Sequence, residues 1–435
     1  MGLVIAATLA VVFAGGCSAG GAGRSAVVDH STEMFFPPIG GPQQLGDCTC
    51  WSSCYYYNTY TQARDEGLDA STGDPNVLCS QRFLFALIAE GAGGAECTAN
   101  AMARLADVGC ATAAKHPVST HCAVWPTEDA WIAALRNRPG KLHKIRVDNP
   151  AGLETVKQHI ADGGCAVTRA LFHRNYVDYG DSAGGPGIDN HVLYAGVGPN
   201  HLRHSLCICG YDDTLSYVDD RDGETYSGAF LIANSEGPDW GWHNSTGAGT
   251  KGFLWVAYNL FLEGGFGLYD HDDNPYTDPC YDNPDYPEVY FHDDRPHYRP
   301  VLIAVAGINH PSRNLLTFTG GVGPADAPLF MGPEAITWTD HGEIAINDSR
   351  RVAVDLTDGA GLIAPGTSQA VFVSLTVDDA ASAPATITSV DFYCDFDGDG
   401  RYTAVPVAMA SPTRVAAGTT VSVSARVAVP TAGAK

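Results

Sequence analysis

Gln44-Leu45-Gly46-Asp47-Cys48-Thr49-Cys50-Trp51 decides how the rest of the chain is read, because a Gln stands six residues before a Cys-Trp pair that opens a helix-like run. From Cys50 to about Arg64 there is neither Gly nor Pro, and Gly67 then offers a stop, so the pattern predicts a helix with Cys50 at its N-terminus. There the macrodipole and unpaired backbone N–H groups favour a thiolate, the reactive form of cysteine. The Gln44 side chain is spaced to donate to an oxyanion formed beside that sulfur.

A thiol nucleophile needs a base to take its proton and a third group to orient the base. Both candidates lie downstream. His204-Ser205-Leu206-Cys207-Ile208-Cys209-Gly210-Tyr211 reads as a buried strand led by a His, and Phe230-Leu231-Ile232-Ala233-Asn234-Ser235 as a second strand ending in Asn. Adjacent strands would bring His204 and Asn234 side by side. His191, in Asn190-His191-Val192-Leu193-Tyr194, is a rival His-led strand, but His204 is followed in order by Gly210-Tyr211 and the Asn234 strand.

With these four segments in view, the chain resembles a papain-like cysteine peptidase over roughly residues 36–265. The resemblance implies Cys50 as nucleophile, His204 as base, Asn234 as the orienting amide and Gln44 at the oxyanion position. Trp240-Gly241 after the Asn strand also fits. Departures are equally specific. Asp47 stands where the family has its first Cys, with Cys48 one residue later. Glu236 replaces the indole that shields the Asn–His bond, so that bond is expected to be wetter and the pKa of the base altered. Thr98-Ala99 after Cys97 replaces the Gly-Gly that aligns substrate backbone.

A formal net charge of -24 and a pI near 4.8 leave no basic stripe for a phosphate backbone, which argues against nucleic acid as a partner. Thirteen Cys favour an oxidising compartment. The apolar run Leu3–Ala14 is too short to span a bilayer as a mature helix but suits a signal-peptide core. It ends in Ala14-Gly15-Gly16-Cys17, which resembles a bacterial lipobox with Cys17 as lipid anchor; an ordinary cleaved signal is the alternative. Phe35-Phe36-Pro37-Pro38 resembles the start of a mature papain-like domain, so no N-terminal prodomain is expected to restrain the enzyme.

Setting aside Cys17 and Cys50 leaves an odd number of the 13 cysteines, so at least one thiol is unpaired. Cys165, Cys207 and Cys209 are read as buried packing residues. The family topology implies a Cys48–Cys97 disulfide, and Cys110 with Cys122 is a second, local pairing.

The expected organisation is a signal with Cys17 at 1–17, a tether at 18–35, an α+β papain-like two-lobed domain at 36–268, an acidic linker at 269–299 and an all-β sandwich or jelly-roll at 300–435. Val301–Val305, Leu315–Thr319, Val352–Leu356, Ala370–Val377, Ile387–Tyr393 and Val421–Val429 are its clearest strands. Asp395, Asp397 and Asp399 place oxygens at alternate positions beside Gly398 and Gly400, as a calcium loop does, although a hairpin turn uses the same residues. A structural calcium is therefore a candidate there, and the chemistry at Cys50 requires no cofactor. The expected partner is a peptide or protein substrate, with any membrane contact made through Cys17 and a surface or protein partner for the sandwich. The expected function is an exported cysteine endopeptidase. Its rivals are an impaired papain-like surface binding protein and an amidase or transferase forming the same thioester.

Overall fold

Helix α1 (Cys48–Cys50) runs without a break through a π-helical stretch, Trp51–Asn58, into α2 (Thr59–Glu66). Gly67, at φ 69°, ends it with its N–H on the Ala63 and Arg64 carbonyls, a left-handed cap that glycine takes without strain. The expected helix is present, but it begins at Cys48 rather than Cys50. Helices α3 (Gln81–Ile88), α4 (Thr98–Val108), α5 (Glu128–Leu135) and α6 (Pro150–Ala161) follow. Ser80, Thr127 and Asn149 cap α3, α5 and α6 by accepting from the N–H groups of Phe83, Ala130 and Gly152. This computed structural model describes residues 24–89, 97–118, 121, 124–179, 184–247, 251–264, 287–337, 345–346, 350–407, 409 and 411–430. The expected signal, Cys17 and Cys122 lie outside the described residues, and no helix among those described is long and apolar enough to cross a membrane.

Beside the helices lies a sheet of β1 (Val27–Asp29), β2 (Leu142–Arg146), β3 (Ala166–His173), β4 (Ile188–Asp189), β5 (Val192–Leu193), β6 (Asn200–Val218), β7 (Thr225–Ala233), β8 (Phe253–Ala257) and β9 (Glu288–His292). Its order is β2-β9-β3-β6-β7-β8-β5-β4, with β1 added on β6, and among the described strands the β5–β8 pair is parallel and the rest antiparallel. Two strands fall outside the expected boundaries. Val27–Asp29, within the expected tether, pairs with Gly210–Asp212, where a Cβ on Gly210 would meet the Val28 carbonyl at 2.4 Å. Glu288–His292, within the expected linker, pairs with both β2 and β3. Acidic and Pro-rich neighbours hide this strand in the sequence, yet all five of its residues are buried.

The second domain is the expected sandwich. One sheet runs β13 (Arg351–Asp355), β10 (Leu302–Asn309), β15 (Ala385–Cys394), β16 (Thr403–Val405), with β17 (Thr413–Val415) also on β15. The other runs β12 (Phe330–Met331), β11 (Leu316–Val322), β14 (Ser368–Val377), β18 (Thr420–Ala428). All six expected strands are found with small shifts at their ends.

The cysteine expectations need correction. Cys48 and Cys110 are free thiols, so neither stands in its expected disulfide; Cys97 is disulfide-bonded, but not to Cys48. Cys54, Cys79, Cys110, Cys165, Cys207 and Cys209 are free thiols and, like Cys50, are wholly buried, with Cys79 accepting from Asn58 Nδ2 and Cys110 donating to the Ser80 carbonyl. The cysteine count therefore carries less weight as a sign of an oxidising compartment than the composition suggests.

The domains meet through buried cations. Arg138 Nη1, after α5, lies 2.7 Å from Asp355 at the end of β13, and the Tyr298 hydroxyl donates to the same carboxylate. Removing one member strands a buried charge, whereas replacing both with apolar groups does not. Arg138→Leu is expected to cost about 3–5 kcal/mol, and Arg138→Leu with Asp355→Leu to recover most of that loss, as measured by denaturant unfolding.

Candidate functional site

The β6–β7 ladder pairs Cys207 with Ala233, so His204, which lies within β6 rather than leading it as expected, and Asn234, just past the end of β7, come together. His204 Nε2 lies 2.7 Å from Asn234 Oδ1. The Ser235 N–H donates to the same oxygen at 2.8 Å, and Asn234 Nδ2 donates to the Tyr176 hydroxyl at 2.6 Å, which fixes which end of the amide is which. Since that oxygen only accepts, the ring carries its proton on Nε2 and Nδ1 is the basic nitrogen. Asn234 is also held by its backbone: its N–H donates to the Gly252 carbonyl at 3.0 Å and its carbonyl accepts from the Tyr56 hydroxyl at 2.7 Å.

The helix carrying the cysteines packs against the same strand. Ser52 Oγ and Ser205 Oγ are 2.7 Å apart, and the Ser205 N–H is directed at the Cys48 sulfur. Cys48 is half-buried and Cys50 is fully buried. Gln44 is exposed on the preceding loop. Its neighbour Gln43 is tied to Ser235, donating its N–H to the Ser235 carbonyl at 2.8 Å and accepting from Ser235 Oγ at 2.5 Å. His191 is not part of the cluster; it sits in a turn at φ 64° and stacks on Trp242 with ring centroids 3.6 Å apart. Thr98 and Ala99, expected where substrate backbone aligns, open helix α4.

The Asn–His bond, expected to be wetter beside Glu236, is dry: His204 is 4% exposed and Asn234 1%. Tyr176, in the short helix α7 (Asn175–Asp178), supplies the cover, stacking on Phe172 at 3.7 Å and lying 5.1 Å from Trp240. Sequence reasoning missed Tyr176, because no spacing links it to Asn234; only the turn after β3 brings it there. Burial pushes the His204 imidazole below its ordinary range, while the Asn234 bond and the Glu236 charge pull it back up. Burial pushes the Cys48 thiol up, opposed by the Ser205 N–H and reinforced by the Asp47 charge.

Away from this cluster, the ligand oxygens of Asp395, Asp397 and Asp399 lie within 4.8 Å of one another. Both Asp395 oxygens already accept backbone N–H groups, from Asp399 and Gly400, as in a tight turn.

Neither a family model nor any curated protein sequence matches the chain. The solved structures it resembles are papain-like cysteine proteases. The cysteine protease and lectin-like domains of Cwp84, a surface-layer-associated protein of Clostridium difficile, align over 92% of this chain and 88% of that one, at 13% identity and TM-score 0.40. A Carica candamarcensis cysteine protease in complex with E-64 aligns over 62% of this chain and 99% of its own, at 13% identity and TM-score 0.38. The bromelain protease of Ananas comosus aligns over 62% and 100%, at 13% identity and TM-score 0.36.

The Glu236 charge favours imidazolium, so neutralising it makes the ring release its proton at lower pH. Glu236→Gln is expected to lower the His204 titration midpoint by on the order of half a pH unit, read from its imidazole signals by NMR; an unchanged midpoint would show that the carboxylate does not act on the ring.

Proposed function

We propose that the protein is a cysteine-type endopeptidase whose thiol, at the N-terminus of α1, works with His204 as base and Asn234 as the amide that orients it. The observation that carries this reading is the buried 2.7 Å bond between His204 Nε2 and Asn234 Oδ1 beside a helix that begins with cysteines. The thiol proton passes to His204 Nδ1 and the sulfur adds to a peptide carbonyl, whose π electrons move to oxygen. The first-turn backbone N–H and the Gln44 amide receive that oxyanion. Collapse breaks the C–N bond, and the amine leaves with the proton from His204. Water then adds to the thioester, giving a proton to His204, and the thiolate departs from a carboxylic product.

We further propose that the molecule is exported, on the strength of the Leu3–Ala14 run and the small residues before Cys17, with Cys17 as lipid anchor. The sandwich would then face a surface or protein partner outside the cytoplasm. Placement of Thr98-Ala99 in a helix favours one variation: substrate is aligned differently from the family pattern, which keeps an amine-accepting transferase or a binding role in view.

The test is turnover of a mixed peptide library by the purified chain, with products identified by mass spectrometry in the presence and absence of amine acceptors. Hydrolysis products are expected, and His204→Ala is expected to lower kcat/KM by roughly a hundred- to ten-thousand-fold. Acceptor-coupled products would make it a transferase, and no turnover would leave the binding role.

A further inference from the structure

We infer that Cys48, rather than the Cys50 of the family spacing, is the sulfur that His204 activates; this rests on the proposed cysteine-type chemistry and names its reacting atom. Cys48 is the first residue of α1, behind Asp47 at the N-cap. Cys50 stands two residues on, about 200° round a helix of 3.6 residues per turn, so the two thiols face different sides.

Three observations separate them. The first is access: Cys50 has 0% exposure, whereas Cys48 is half-buried, and a carbonyl carbon must reach the sulfur it acylates. The second is the partner strand. Ser205, which directs its N–H at the Cys48 sulfur, immediately follows the base, and the Ser52–Ser205 hydroxyl bond of 2.7 Å holds helix and strand in that register. Tyr176, which receives Asn234 Nδ2, also lies close enough to Cys48 for their charges to interact. The third is the oxyanion donor. The Cys50 N–H is committed to the Asp47 carbonyl at 2.9 Å, while Cys48 opens the first turn, where backbone N–H groups have no intrahelical partner. The π-helical stretch that follows makes the geometry local to this chain: its wider turns re-aim the side chains from Trp51 onward and let Trp51 pack edge-on to Tyr55, 4.8 Å away.

Chemically, the proton of Cys48 Sγ goes to His204 Nδ1 and the S–C bond forms at Cys48, with the remaining steps as above. The experiment treats the full chain with an epoxysuccinyl peptide, in which thiolate attack opens the epoxide and leaves a stable thioether, followed by digestion and mass-spectrometric location of the adduct. The expected result is modification of Cys48 and not Cys50, with Cys48→Ala losing both the adduct and peptide turnover by at least about a thousandfold while retaining wild-type circular dichroism. An adduct on Cys50, or turnover that survives Cys48→Ala, overturns the assignment and leaves the peptidase reading standing. Absence of any adduct together with absence of turnover removes the peptidase reading itself, and the assignment with it. The wild-type adduct map does not depend on whether the variant folds.

Discussion

The bond from His204 to Asn234 governs this site because it settles a proton. An amide oxygen that also accepts the Ser235 N–H has nothing to donate, so the ring must bring its own hydrogen on Nε2, and Nδ1 becomes the nitrogen with a lone pair. Everything that holds Asn234 therefore acts on the chemistry of the ring. The β6–β7 ladder sets its height, the Gly252 carbonyl and Tyr56 hydroxyl fix its backbone, and Tyr176 takes the amide hydrogen left over. Tyr56 belongs to the same continuous helix as the cysteines, so one element positions the thiol and steadies the residue that orients the base.

Dryness has opposing consequences here. Tyr176, Phe172 and Trp240 exclude water from the Asn–His bond, which strengthens it. The same exclusion disfavours charge, pushing the Cys48 thiol up and the His204 imidazole down, toward a neutral pair. Glu236 acts against this on the imidazole side. Tyr176 supplies the cover over the Asn–His bond, and Glu236 adds a negative charge that favours imidazolium, so the contribution of Glu236 is electrostatic.

Much of this was legible because it is local or periodic. The sandwich strands announce themselves by alternation bounded by turn residues, and β6 and β7 by the apolar runs after His204 and before Asn234. What escaped depends on tertiary context. Glu288–His292 reads as part of an acidic linker, since its composition gives no warning that β2 and β3 will bury it. Cysteines such as Cys165, Cys207 and Cys209 look like disulfide candidates in a count but are buried thiols packed in the core. The helix starts two residues before its expected place because the Asp47 carbonyl, which the Cys-Trp spacing does not reveal, accepts from the Cys50 and Trp51 N–H groups. At a helix N-terminus, a two-residue shift decides which side chain faces the neighbouring strand.

Asp47 shows how closely folding and reactivity are joined at that point. Its backbone carbonyl accepts from both Cys50 and Trp51, starting the helix, while its wholly buried carboxylate lies 3.2 Å from Arg82 in α3. Burial raises the Asp47 carboxyl, and Arg82 opposes that by favouring the charged form. The charge that results raises the adjacent thiol. Arg82 therefore makes a buried carboxylate tolerable at the helix start, next to the thiol on which that carboxylate acts. The chain of dependence runs farther still, since the carbonyls of Ala86 and Ala89, at the C-terminal end of α3, are capped by the buried Arg313 of the sandwich. A cation at that end complements the helix dipole and anchors the element that carries Arg82. The sandwich thereby braces the helical side of the site, whereas the sheet side is fixed by its own ladder, and the cysteines lie where the two meet.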